Sequence, residues 1–574
     1  MSAESGPRNP GASPLNAEDN AERRRMSFYD LLFLAAGGVI GSEWMLAGSL
    51  PWYSWLIGGL LILVVAAVMV ELSTAVPKTG GLVFLPLQSS GPLLATVVAA
   101  GVWIFYALSP ASQAAAMVKG LQVWWRWSGI TGSKGYDLTW RGFGFAMLFL
   151  LLITAVNLLG PRLFLRINNV LTAFKILIPL LIIGLLLYAK VHPPSHVVHF
   201  AHSTKTPPTN ESGITLSSVI YAYLGFQGPL DFAGNVKRRG IGEAARLRRA
   251  VYGTVCGSIL LYISLQFVVT YIRNRSGGAI AGPSPYTEFA RVVAPGWAIT
   301  LVSFLINLDT VLSPAGTGMV FTYVLTREVA ALSRAHLTHR GLQKSKYSVI
   351  PLASDWLRKL FGDDRLDVFW LILIVDFIIS GISLLCVRTE WSVLGIIASN
   401  LALVVYVTPS VTLASLRRLR PSLFPRRRYS ILAWASFVSI GVIFYLTGWG
   451  LVWQGMAALA VGCLLLFGLP LVARASRWYD AKPYAVQFRQ LRTNPAAQSA
   501  IILFGYFTVV MLASLASKYV WCSHIAKLSG AILVAVLAVI VFRRLIALSV
   551  RYMEEHSPTL PTPVPRAPAI AQSE

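Results

Sequence analysis

Gly37-Gly38-Val39-Ile40-Gly41-Ser42-Glu43-Trp44 sits at the centre of an apolar run from Phe28 to Leu50 that is long enough to span a bilayer. Glycines loosen a helix there, and a carboxylate at bilayer depth costs about 3 kcal/mol on insertion scales. A second apolar run, Ser217 to Gly234, is interrupted in the same way at Gly225-Phe226-Gln227-Gly228-Pro229. A pair of interrupted spans is the sequence feature that points to the substrate site of a secondary transporter.

The rest of the chain agrees with a membrane setting. Of its 574 residues, 55% are hydrophobic and only 13% charged, about half the charge of a soluble protein. Apolar runs of spanning length begin near Phe28, Trp52, Leu93, Gly142, Val170, Ser217, Val251, Pro295, Val368, Trp391, Tyr429, Leu451, Ala500 and Leu528. The fold class expected is an all-α integral membrane protein with about fourteen transmembrane helices.

The net charge of +25 invites a nucleic-acid reading, but its distribution opposes one. With the N-terminus in the cytoplasm and the helices alternating, 36 of the 49 Lys and Arg residues fall inside and 12 outside, with Lys175 within a helix. That asymmetry is the positive-inside rule. Lys237-Arg238-Arg239 and Arg426-Arg427-Arg428 are therefore topology anchors, and no nucleic-acid partner is expected. The bilayer is the expected surrounding.

The broken spans are the first and the sixth. Five helices per unit implies two repeats of opposite orientation, with a site at the midplane between them. The expected organisation is a disordered cytoplasmic tail at 1–27, a first repeat at 28–190, a second at 213–413, four further helices at 429–550 and a disordered tail at 557–574. The first run is too long for a signal-peptide core and lacks a small-residue cleavage site, so it should remain as a helix. Pro77 to Ser90 reads as a partly buried connection, and Arg327 to Arg365 as a basic inside loop. Cys256, Cys386, Cys463 and Cys522 are scattered without a CxxC pair, so neither a disulfide framework nor a metal site is expected.

At the first break, Ser42 is placed to cap a second half-helix, whose free amides and dipole favour an anion. Glu43 complicates that site. It either satisfies the amides itself or binds a substrate amine or carries a proton. At the second break, Gly225 and Gly228-Pro229 free backbone carbonyls, which persist at membrane depth only where they line a cavity or are buried in protein. Tyr221 lies one turn before this break and Phe226 and Gln227 within it, where aromatics can lid a small substrate. Lys175 reads either as snorkelling to the interface or as a buried amine near the first break, able to exchange a proton. Asp231, Asp309 and Asp376 are further intramembrane acids and candidates for coupling. His192, His196, His199 and His202 crowd one outside loop, where an ordinary loop competes with metal binding or pH sensing. Asn210-Glu211-Ser212 and Asn274-Arg275-Ser276 are glycosylation sequons, relevant only in a secretory pathway. No phosphate loop, HExxH or Ser-His-Asp set is present, so an enzyme is not expected and no cofactor is implied.

Taken in order, several motifs resemble the amino acid–polyamine–organocation superfamily, and bacterial amino acid permeases within it. They are Gly-Gly-Val-Ile-Gly-Ser at 37–42, Val76-Pro77-Lys78-Thr79-Gly80-Gly81 with Ser90-Gly91-Pro92-Leu93, and Asn157-Leu158-Leu159-Gly160. Tyr223-Leu224-Gly225-Phe226 through Asp231-Phe232-Ala233-Gly234-Asn235-Val236-Lys237, and Leu312-Ser313-Pro314-Ala315-Gly316-Thr317-Gly318, complete the set. The resemblance runs from about residue 30 to 480. It implies the five-plus-five inverted-repeat fold, alternating access, and substrate contacts at Gly41, Ser42, the Glu43 position, Tyr221, Gly225 and Phe226. It also implies that Lys175 takes the place of a sodium ion and supports proton coupling. The chain departs from the family's usual glycine at Glu43 and from a frequent acid at Gln227.

The expected function is thus secondary active transport of an amino acid, polyamine or related organic amine across a bacterial inner (plasma) membrane. The transporter would be proton-coupled or exchanging, with both termini cytoplasmic. Substrate would bind at Gly41, Ser42, Glu43, Tyr221, Gly225, Phe226 and Gln227, with Lys175, Glu43, Asp231 and Asp309 as proton-coupling candidates. The alternative is a transport-deficient, permease-like binding or sensing protein in which Glu43 plugs the site.

Overall fold

The computed structural model describes residues 26–43, 51–77, 80–122, 124, 129–131, 138–191, 212–233, 242–275, 285–335, 337–343, 368–386, 391–424, 427–472, 493–520 and 524–556. Seventeen α-helices run through these residues. They are α1 Phe28–Val39, α2 Trp52–Ala75, α3 Gly81–Ser90, α4 Pro92–Leu121, α5 Trp140–Leu158, α6 Pro161–Val191, α7 Ser212–Tyr223, α8 Gly228–Asp231, α9 Gly242–Arg275, α10 Pro285–Val293, α11 Ile299–Arg334, α12 Trp370–Cys386, α13 Trp391–Leu419, α14 Arg428–Leu446, α15 Trp449–Val472, α16 Pro495–Tyr519 and α17 His524–Glu555. Eleven of the described helices are long and apolar enough to cross a membrane; α1 and α12 are apolar but shorter. With the interrupted pair α7 and α8, each of the fourteen apolar runs carries helix among the described residues. The protein is an all-α, multi-pass membrane protein.

Side-chain chemistry sorts the helices into an inner and an outer set. Almost all of α4 and α13 is buried, and both are rich in Ala, Ser and Gly, which lets neighbouring backbones approach. Gly120 on α4 is one such approach: a Cβ there would lie 2.6 Å from the carbonyl oxygen of Thr310 on α11. The outer helices instead expose apolar residues, among them Leu148, Leu151 and Leu152 on α5, Leu464 and Leu465 on α15, and Ile532, Leu533, Val536 and Ile540 on α17. Exposed Leu and Ile in this number are a lipid-facing surface.

Three local results refine the sequence reading. The segment after Pro77 is not only a connection: Gly81–Ser90 is a largely buried helix, entered through Gly80 in the left-handed region at φ 71°. The fifth span begins at Pro161, so Lys175 lies deep within a helix rather than near its start. The eighth span continues to Arg334, taking Arg327 and Glu328 out of the expected loop and into a helix. The histidines at 192–202, Asn210 and Glu211 of the first sequon, Ser276 of the second, Cys522, residues 1–25 of the expected tail at 1–27 and the tail at 557–574 lie outside the described residues, whereas Met26 is buried and Ser27 caps α1.

α1 starts at a full capping box, in which Ser27 and Asp30 satisfy each other's backbone amides. It ends at Val39, where Ile40 turns to extended backbone (φ −83°, ψ 90°). Residues 41 and 42 bend, and Glu43 is again helical. α7 ends at Tyr223, and the chain turns through Gly225 at φ 106° before α8 begins with Pro229 in its first turn. Both interruptions are buried. α9 frames them. Its Gln266 accepts from Trp55 Nε1 (2.9 Å), and its Arg248 pairs with Glu71 (2.8 Å), which ties α9 to α2 at two levels.

Candidate functional site: two touching helix breaks

The two interruptions meet backbone to backbone. A Cβ on Gly225 would stand 2.4 Å from the carbonyl carbon of Gly38, and one on Gly38 would stand 3.0 Å from Cα of Gly225. At Gly225 only glycine permits this approach, and the positive φ adds a second reason, whereas a Cβ on Gly38 would be tight. Tyr262 on α9 joins the same seam. Its hydroxyl lies 2.9 Å from Val39 O and 2.9 Å from Ala222 O, one freed carbonyl from each break.

The first break is held from outside by α6 and α11. Lys175 is fully buried, and its Nζ donates to Gly37 O (2.8 Å) and to Thr317 Oγ1 (2.8 Å). Thr317 Oγ1 reaches Gly37 O at 2.9 Å and Ile40 O at 3.0 Å, and Ser313 Oγ donates to Ile40 O at 3.3 Å. Lys175 therefore does not snorkel; an ammonium and two hydroxyls occupy the carbonyls that unwinding releases. Gly316 makes room for that ammonium, because a Cβ there would sit 2.9 Å from Nζ. Asp309, Ser313 and Thr317 recur every fourth residue, so they share one face of α11. Asp309 is fully buried with neither carboxyl oxygen hydrogen-bonded, and it and Glu43 are the acids whose charge acts on Lys175.

Glu43 is folded back over the break. One carboxyl oxygen is 2.5 Å from where a Cβ of Gly41 would be. The other accepts from Gln113 Nε2 at 2.6 Å and from Ser42 Oγ at 3.4 Å. Gln113 Nε2 also donates to Tyr221 OH at 3.3 Å, and the ring of Tyr221 packs on Gly395 of α13. Gln113 Oε1 is buried and receives no hydrogen bond. The amides that Ser42 is expected to cap belong to residues 44–50, outside the described part.

The second break is held differently. Gln227 Oε1 accepts from Gly225 N at 2.9 Å, so the turn is closed by its own side chain. Gln227 Nε2 donates to Tyr106 OH at 3.2 Å, and Tyr106 OH donates to Asp231 Oδ2 at 3.0 Å. Phe226 is buried edge-on to Tyr406 at 5.7 Å.

Gly41, Ser42, Glu43 and Tyr221 thus share one cluster with Gln113. Gly225, Phe226 and Gln227 form the adjoining wall, and Lys175 lies behind the first break. Asp231 is not part of the Glu43 cluster; its partners are Tyr106 and Glu328. Asp376 is buried on α12, where its neighbour is Ser380. Sequence reading missed Gln113, Tyr106, Tyr262 and Glu328. The available signal was polar residues on one face of an apolar span: Tyr106, Ser109 and Gln113 recur at three and four residues along α4. Among the described residues no cluster of three or more His, Cys, Asp or Glu could hold a metal ion.

Paired, touching breaks stabilised by buried polar groups inside a lipid-facing bundle define a transporter-type membrane protein. Comparison with known proteins gives the family. The family described as amino acid permease matches residues 26–466, and the chain belongs to it. The glutamate/serine transporter AimA of Bacillus subtilis (strain 168) is 27% identical over 467 residues, covering 78% of this chain and 82% of that protein. The aspartate-proton symporter of the same organism is 26% identical over 443 residues, covering 74% and 80%. Its branched-chain amino acid permease BcaP is 23% identical over 347 residues, covering 56% and 70%. These are transporters, not enzymes.

Proposed function

We propose that the protein is a proton-coupled secondary transporter of small amino acids that works by alternating access, with substrate bound between the two breaks. The observation that carries this reading is the backbone contact of Gly38 with Gly225. It brings two sets of freed backbone groups to one place in the bilayer, beside an acid, Glu43, and an amine, Lys175. Helices 1–5 and 6–10 of the fourteen spans form the two inverted repeats, and both termini face the cytoplasm, a reading that the uneven Lys and Arg distribution supports.

Within the site, Glu43 and the spare acceptor Gln113 Oε1 receive the ammonium of the substrate. Lys175 fixes the first break and passes a proton with Asp309 or Glu43 as its partner. Relatives named for glutamate, serine and aspartate set the substrates to try first. In proteoliposomes, an inward proton gradient should drive accumulation of labelled serine, glutamate or aspartate, and a protonophore should abolish it.

One observation favours a second reading. The Glu43 carboxyl lies over Gly41 and is already hydrogen-bonded by Gln113 and Ser42. A permanent plug would do this, and the protein would then bind or sense without transport. Amino acid binding with no flux under any gradient would select that reading.

A further inference from the structure

We propose that Gly395 of α13 is a specificity-determining position: the slot it leaves on that helix takes the ring of Tyr221, and so sets the room for a substrate's side chain between the two breaks. This rests on the part of the reading above that puts substrate there, and does not need flux.

The contact is direct. A Cβ at 395 would stand 2.6 Å from Cε1, 2.8 Å from Cδ1 and 3.1 Å from Cζ of Tyr221, and these are its three nearest atoms. Unstrained carbons stay about 3.5–4.0 Å apart, so a side chain here displaces either the ring or the helix. Both residues are buried. Gly395 lies within a helix and has no positive φ, so its backbone does not call for glycine. Glycine weakens a helix interior. What the position supplies is empty space, and Tyr221 fills it.

α13 backs the second break at two levels. Gly395 and Tyr406 lie about three turns apart and share one face of the helix. Tyr221, before the break, rests on Gly395, and Phe226, within it, is edge-on to Tyr406 at 5.7 Å. Both aromatics expected to lid a small substrate therefore bear on one helix that lies outside the two broken spans.

Away from α13, the same ring faces the site. Tyr221 OH accepts from Gln113 Nε2 at 3.3 Å, and Gln113 Nε2 also donates to Glu43 Oε1 at 2.6 Å. Gly395, Tyr221, Gln113 and Glu43 thus form a series across α13, α7, α4 and the first break. A ring pushed off α13 moves towards α4 and the Glu43 carboxyl, into the space between the breaks. A long side chain loses that space before a short one does. Gly395 is a positioning residue in this scheme: it acts through Tyr221.

The test uses full-length protein carrying G395A, Y221A or both, titrated with serine and with glutamate in thermal-shift binding assays. In G395A the apparent Kd for glutamate should rise by about tenfold or more, and that for serine by no more than about threefold, the scale on which pockets discriminate by size. In the Y221A background the same change should leave the glutamate-to-serine ratio within about twofold, because the ring that transmits it is gone. Equal losses for both probes, or a selective loss that persists without the ring, overturns the proposal. If G395A yields no folded protein, Y221A alone reads the contact from the other side. With the ring removed, phenylalanine should compete with serine about tenfold better than in the parent, and no gain overturns the proposal. A parent protein that binds none of serine, glutamate and aspartate removes the substrate reading and the specificity role with it. Melting temperatures then still decide whether the slot exists: G395A should lower them in the parent and not in Y221A.

Discussion

The two helix breaks touch, yet they are built from opposite materials. The first, at Gly37–Glu43, is fastened by groups from other helices and by charge: the Lys175 ammonium, the hydroxyls of Ser313 and Thr317, and the Glu43 carboxyl. The second, at Leu224–Gln227, is fastened from within by the amide of Gln227, with neutral tyrosines on either side. A break whose fastening can change its protonation can also change its hold on α6 and α11. A break closed by its own side chain keeps its shape and moves as a unit. We infer that the first break is the responsive half and the second the rigid half.

The sharpest way to break this contrast is at the contact itself. Gly225→Ala places a Cβ 2.4 Å from Gly38 and strains a backbone with φ 106°, whereas Gly38→Ala meets Gly225 only at 3.0 Å and has no positive φ. Amino acid uptake into proteoliposomes should be abolished by the first and lowered but measurable in the second. Equal losses would mean that the two sides are not different in rigidity.

The next largest effect is expected at Lys175. Lys175→Ala should uncouple uptake from a pH gradient while leaving exchange intact. It should also cost about 1–3 kcal/mol of stability, since Gly37 O loses a buried donor. Gly316→Ala should copy this in part, because its methyl would crowd the ammonium at 2.9 Å. Gradient-driven uptake at parental levels in Lys175→Ala would remove the responsive role from the first break.

Glu43→Gly separates the two proposed functions by sign. If Glu43 receives the substrate ammonium, the affinity for serine should fall by about tenfold, the worth of one charge-assisted hydrogen bond. If Glu43 is a plug, affinity for carboxylate-bearing substrates should rise. Thermal-shift titrations read both outcomes. The smallest effect belongs to Tyr262→Phe, which deletes one hydroxyl from the seam and should lower stability by about 1 kcal/mol with transport retained.

Much of this architecture was legible because its signals are local. Glycines inside an apolar run mark a break whatever surrounds it, and Glu43 and Lys175 are conspicuous because charge is costly in lipid. What surrounds each break was not legible. Gln113 and Tyr106 lie 70 and 125 positions along the chain from Glu43 and Asp231, and an uncharged polar residue in a buried helix carries no period of its own. Tyr262 looked like one aromatic among many. Glu328 escaped because a basic stretch read as the start of a loop, although the helix continues to Arg334. The depth of Lys175 was ambiguous for a related reason: the onset of the fifth span at Pro161 is polar (Arg162, Arg166, Asn168, Asn169), and hydropathy places it too late.

Tyr262 has one hydrogen to offer and two oxygens within its reach. Whichever it serves, a lone pair on the other is left over, so the joint between the half-helices is electron-rich by construction. A positively charged guest would find there the acceptor that the phenol cannot fill.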